Sequence, residues 1–240
     1  MTFRGRIALA VTAGAIIPLV LLGAGVRREM GRRLDAQAER RVEALVGVLR
    51  ADLDAETGAL RKRLRALAAG LESDTRFRLA VGQGDDRRWL LDWAGEAMRA
   101  GGLAVLRVQD EAGRVLSSGH FRNEFDRLDP GSLRAILGAP GGRALVRFPA
   151  VEGEVLALAA ADSFRVADRG YRLVGGVAFD AARAAALVPP GEMTVALALD
   201  SAAAPGAPAA EIAIPWYDAT RSAPGGAAGG IARLVITRDP

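Results

Sequence analysis

LAVLRVQDEAGRVLSS, residues 103 to 118, is the stretch on which the fold turns. Leu103 to Val108 reads as a strand, and Asp110-Glu111-Ala112-Gly113 reads as a tight turn. Arg114 to Ser118 reads as the returning strand of a hairpin. Working outward, a polar stretch follows, and Asp129-Pro130-Gly131-Ser132 opens a helix to Leu137. After a loop over 138–142 come three predicted strands, Arg143 to Phe148, Glu154 to Ala161 and Tyr171 to Phe179. A short helix with Asp180 as its N-cap closes the series at Leu187. Upstream, Arg87 to Arg99 reads as a helix with Trp89 and Trp93 one turn apart, ended by Gly101-Gly102. A helix, a hairpin, a connecting segment and a three-strand meander predict an α+β domain. Its expected form is an antiparallel sheet with flanking helices to one side.

The N-terminal segments predict an anchor and a long helix. Ile7 to Val26 carries no charge and has the length of about 20 residues that a bilayer core requires. Arginines stand on both sides, and residues 1–26 are therefore read as a transmembrane anchor. A cleaved signal peptide is the alternative, but Arg27-Arg28 stands where a small-residue cleavage site would end. From Arg28 to Leu71 there is no proline. Apolar residues recur at Leu34, Ala38, Val42, Leu45, Leu49, Leu53, Leu60, Leu64, Leu67 and Leu71, with one gap at Glu56. That is the seam of a coiled coil or helical bundle, so residues 27–72 are read as a dimerising helix continuous with the anchor. The stripe could equally pack on the chain's own domain. Residues 73–190 form the predicted α+β domain. In residues 191–240, the runs Thr194 to Leu199, Glu211 to Trp216 and Ile231 to Thr237 are read as a small strand set packed on the main sheet. Flexible Ala/Gly/Pro linkers separate them, and a second membrane helix is expected beyond Pro240.

Composition excludes several functions. The 240 residues contain no cysteine, which removes disulfides, thiolate zinc sites, iron–sulfur clusters and cysteine nucleophiles. A net charge of +4 over this length does not point to nucleic acid, and no nucleic-acid partner is expected. No P-loop, dinucleotide fingerprint or catalytic spacing is present, so neither an enzymatic activity nor a cofactor is expected. His120 is the single histidine. A metal there would need carboxylates such as Glu124 or Asp126, and no metal site is expected. The local cluster Ser117, Ser118, His120, Arg122 and Asn123 is the candidate ligand site, with Arg122 suited to pairing a carboxylate. The same groups could instead cap a turn and satisfy backbone atoms.

The run VLRVQDEAGRVLSSGHFRNEF, residues 105 to 125, resembles the first hairpin of extracytoplasmic PAS-like (Cache-type) sensor domains of bacterial histidine kinases. GGVAFDAARAAAL, residues 175 to 187, is similar to the last strand and closing helix of that domain. The resemblance covers roughly residues 1 to 190 and implies a periplasmic sensor domain on an inner-membrane anchor, followed by a second membrane helix, a HAMP linker and a kinase core. The arginine balance around Ile7–Val26 by itself favours the opposite orientation. The expected function is the sensory input region of a two-component histidine kinase that relays a signal through a helical homodimer. Its expected partners are a second copy, membrane lipid, a small-molecule ligand and, through the missing kinase core, a response regulator. The alternative is a membrane-tethered periplasmic binding or interaction protein complete at residue 240. A hydrolase using His120 ranks below both.

Overall fold

The computed structural model describes residues 3–83, 87–188, 193–199, 208–221 and 229–238, with the side chains of 3–26, 31, 34, 35, 83 and 238 outside the description. The chain divides into two compact units, Met1–Gly47 and Val48–Pro240. Helix α1 runs over Phe3–Ser73. The predicted span Ile7–Val26 lies outside the described side chains. Among the described residues no helix is long and apolar enough to cross a membrane. Most of the predicted linkers, over 201–207 and 222–228, also lie outside the described residues.

In the second unit the apolar stripe of α1 is buried within the chain itself. Leu60, Leu64, Ala68 and Leu71 share one core cluster with Leu106, Val108, Phe164 and Leu173 of the sheet. The gap at Glu56 is bridged by Thr57, which is buried and donates its hydroxyl to the Leu53 carbonyl at 2.7 Å. Thr57 hides a polar atom by back-bonding one turn along the helix. The seam over Leu60–Leu71 thus faces the chain's own sheet and is not open to a second copy.

Two further helices cover the same face, α2 (Thr75–Gln83) and α3 (Arg87–Ala100). The strands are β1 (Val105–Asp110), β2 (Val115–Ser118), β3 (Arg143–Ala150), β4 (Gly153–Val166), β5 (Arg169–Ala178), β6 (Met193–Ala198), β7 (Ala210–Asp218) and β8 (Gly229–Arg238). They form one eight-stranded sheet in the order β2-β1-β5-β4-β3-β7-β8-β6. The hairpin and the meander appear as expected, with β5 returning beside β1.

Three features depart from the sequence expectation. First, β7 does not pack on the main sheet but joins its edge, pairing parallel with β3 through Leu145↔Trp216 and Val146↔Tyr217, so the sheet is mixed. Second, helices cover both faces, because β3, β4 and β5 are apolar on both. Helix α4 (Pro130–Gly138) sets Leu133 and Ile136 against Ala144, Val146, Ala157 and Val174 on the face opposite α1. Third, β4 and β5 are longer than predicted and meet in a two-residue turn, Ala167-Asp168, with both φ values positive. Neither residue is the glycine or asparagine that normally marks such a turn.

One glycine sets the distance between helix and sheet. A Cβ on Gly175 of β5 would lie 2.6 Å from Leu64 Cδ2. Gly175→Val is therefore expected to lower stability by about 1–3 kcal/mol through overpacking. Gly58→Ala, in helix α1 with open space around it, should raise stability by about 0.5–1 kcal/mol. Denaturant midpoints of the full chain in detergent measure both. An unchanged midpoint for Gly175→Val would contradict the packing described.

Candidate functional site

The face opposite α1 carries Arg107 and Gln109 of β1, both without exposed surface. A strap, residues 119–128, folds over them. It is held by Asp126 N–H donating to the Val115 carbonyl and Val115 N–H donating to the Arg127 carbonyl, each at 2.8 Å. The strap delivers Glu124, and the start of α4 delivers Asp129. Arg107 Nε donates to Glu124 Oε2 at 2.8 Å, and Nη2 donates to Oε1 of the same carboxylate. Nη1 donates to Asp129 Oδ2 at 2.9 Å. The guanidinium also lies over the Phe148 ring, 4.4 Å from its centroid. Arg127, partly exposed, supplies a second positive charge at 3.4 Å from Glu124.

Asp129 has a second role. Its Oδ1 accepts from Ser132 N–H at 3.1 Å as the N-cap of α4, with Pro130 at the first helical position. The same atom accepts from the Tyr217 hydroxyl of β7 at 3.3 Å. Arg127 Nη2 donates to the Ala219 carbonyl. The network therefore reaches from β1 through the strap to the strands appended at β7.

The structure splits the predicted site cluster between interior and surface. Ser117 is buried and donates to the Leu90 carbonyl of α3 at 2.8 Å. Ser118 is buried, accepts from Phe121 N–H and lies 3.3 Å from His120 Nδ1. Arg122 is exposed and pairs with Asp92 of α3 at 2.6 Å, and Asn123 is exposed beside it. An ion pair this exposed contributes little. His120 is buried against Phe148 with ring centroids 5.3 Å apart. Its Nε2 has no hydrogen-bond partner and stands 3.6 Å from Glu124 Oε2.

Burial pushes the His120 pKa down to about 3, helped by the Arg107 charge and opposed by a hydrogen bond to the Leu106 backbone. The imidazole is neutral near pH 7. Burial pushes Glu124 up, against the pull of Arg107 and Arg127. Ser118, His120 and Glu124 fall in the order of a hydrolytic triad. Ser118 is fully buried, however, and in this arrangement its oxygen is closed to a substrate. Among the described residues no group of three or more His, Cys, Asp or Glu side chains could hold a metal ion.

Sequence reasoning missed Arg107, saw Asp129 only as the start of a helix and Glu124 only as a candidate metal ligand. The one available signal was a charge inside the LAVLRV strand. It also missed a cleft of about 570 Å³ between α2, α3 and the β1–β2 turn, lined in part by Leu90, Asp110, Glu111, Asp126, Arg169 and Tyr171. None of the five predicted residues lines it.

No family model matches the chain, and no curated protein matches it. Solved structures do. The chain is similar to the sensor domain of E. coli DcuS, at 14% identity and a TM-score of 0.36, over 50% of this chain and 89% of that one. It is similar to the sensor domain of the V. cholerae histidine kinase DctB, at 9% and 0.45, over 68% and 63%. It is also similar to the periplasmic domain of Vibrio cholerae LuxQ, at 12% and 0.44, over 82% and 99%. The likeness is one of fold.

Arg107→Met would leave Asp129 buried without its cation and Glu124 with only the partly exposed Arg127. It is expected to cost about 3–5 kcal/mol, and Arg107→Met with Glu124→Gln should cost less than Arg107→Met alone. Urea denaturation of the single and double variants checks this. A loss below about 1 kcal/mol for Arg107→Met would mean that the network is not closed in solution.

Proposed function

We propose that this chain is the sensory input region of a membrane-bound two-component histidine kinase, with its mixed α/β domain in the periplasm. The observation that carries the reading is the shared core of helix and sheet. Leu60, Leu64, Ala68 and Leu71 of α1 pack with β1, β4 and β5 residues in one cluster. A close-packed interior transmits displacement, so a change in the sheet moves the helix. In sequence, the same helix carries the apolar run Ile7–Val26. A signal that alters the strap or the α2–α3 cleft would reach the anchor by that route.

On this reading the chain works as a homodimer. Because the Leu60–Leu71 stripe faces the sheet, the contact with a second copy falls on the opposite side of α1, where Ala51, Ala55, Ala66 and Ala69 are exposed. Small side chains there permit close approach of two helices. The response regulator is contacted through a kinase core that these residues do not include. Membrane lipid is a partner through the anchor, and a small-molecule ligand through the cleft.

The absence of cysteine from these 240 residues makes the test direct, because each introduced thiol is unique within them. Single cysteines at Ala51, Ala55 and Ala66 in native membranes should give disulfide-linked dimers, whereas cysteine at exposed Arg63, which lies off that face, should cross-link less. A periplasm-only reporter fused after residue 100 should be active. Strong activity of a cytoplasm-only reporter at that point would sink the periplasmic placement, and uniform failure to cross-link would sink the helical dimer.

A further inference from the structure

We propose that the strap over Arg107 is an acid-released latch, in which His120 and Glu124 form a buried, unbridged pair while the strap is closed. The geometry carries this. His120 Nε2 is buried with no hydrogen-bond partner and faces a carboxylate oxygen at 3.6 Å. That oxygen already accepts from Arg107 Nε at 2.8 Å. The imidazole nitrogen and the carboxylate oxygen thus face each other across a gap too long for a hydrogen bond.

The groups around the pair explain why a proton on His120 is unwelcome. From β1, the Arg107 guanidinium lies beside both, fully buried. From β2, Ser118 lies at 3.3 Å from Nδ1. From β3, the Phe148 ring supplies an apolar wall. From the strap and the start of α4 come Arg127, near Glu124, and Asp129, on Arg107. Beyond them Tyr217 of β7 holds Asp129, and on the solvent side Arg122 is neutralised by Asp92. An imidazolium here would meet a buried guanidinium without water, and its one available anion is already held by Arg107.

The sign follows from linkage. A histidine whose closed-state value is depressed below its ordinary one contributes stability that is fully present above the ordinary value. That stability is lost as pH falls toward the depressed value. For His120 the window lies between its ordinary 6.5 and about 3. Opening the strap returns the imidazole to water, so the open population grows with acid. Between about pH 7.5 and about pH 5.5 the opening equilibrium should rise about tenfold. Glu124 works in the opposite direction, since burial raises it and a proton there steadies the closed form. Opening would expose Arg107 and release the strap contact from Arg127 to the Ala219 carbonyl.

Amide hydrogen exchange on the full chain in detergent tests the latch. Protection of Val115, Glu124, Asp126 and Asp129 amides, corrected for intrinsic rates, should fall about tenfold between about pH 7.5 and about pH 5.5, with β4 and β5 amides unchanged. His120→Gln should abolish that slope while leaving the Glu124 contribution in place. Because His120 is the single histidine, its imidazole proton resonance is an independent probe in the unaltered chain. In the closed state it should not titrate over that range. An imidazole titrating near its ordinary value with strap amides unmoved would overturn the proposal. So would strap and sheet amides losing protection together, or an acid-driven loss of strap protection that persists in His120→Gln. None of these readouts depends on signalling, so failure of the latch and failure of the kinase reading are separate results.

Discussion

Moving a charged group from water into a protein interior costs several kcal/mol, and Arg107 has none of its surface in water. The interior must therefore bring anions to it, and they must come from somewhere that the chain can reach. Glu124 and Asp129 do so from a segment with no regular strand of its own. That requirement fixes the path of residues 119 to 132. The strap crosses the sheet so that Glu124 meets the guanidinium in two-point fashion, and it ends where Asp129 can serve both Arg107 and the first turn of α4. Position and direction of α4, and with them the cover over Ala144, Val146 and Ala157, follow from one buried cation.

The opposite face is organised by a different constraint, shape instead of charge. Leu64 of α1 approaches β5 where a Cβ on Gly175 would lie 2.6 Å from its Cδ2, and Gly119 similarly lets the strap begin close to α3, where a Cβ would lie 2.5 Å from the Ala94 carbonyl. The helix layer is thus seated by missing side chains and the strap layer by an ion network. The two layers meet at β1, whose alternate residues face each way: Leu106 and Val108 toward the helices, Arg107 and Gln109 toward the strap.

That alternation explains what could be read from the sequence and what could not. The hairpin, the meander, α3, α4 and its Asp129-Pro130 start were legible because period and caps are local signals. Arg107 was not, because a strand with leucine and valine on one face and Arg107 and Gln109 on the other reads as half exposed. Only the return of a segment 17 residues later makes that face interior. The stripe on α1 was legible as apolar but not as to its partner, since periodicity is the same whether it meets a second helix or the chain's own sheet. The edge pairing of β7 on β3 was equally invisible. It rests on a parallel contact across a long stretch of chain, reinforced by Arg147, which reaches Asp218 at 3.2 Å and lies over Trp216.

A buried ion network is weak support for stability, because well-packed apolar residues of the same volume serve as well or better. Its retention here is better understood through register. A one-residue slip of β1 against β5 would turn Arg107 toward Leu60, Leu64 and Leu173 and turn Leu106 toward the carboxylates. An apolar residue at position 107 would leave only Gln109 to distinguish the two registers by polarity, since Val105 and Leu106 suit either face. With arginine there, one register satisfies three charged groups and the other strands all of them in hydrocarbon. The arginine that holds Glu124 in place beside His120 is thus the same residue that tells the sheet which way to face.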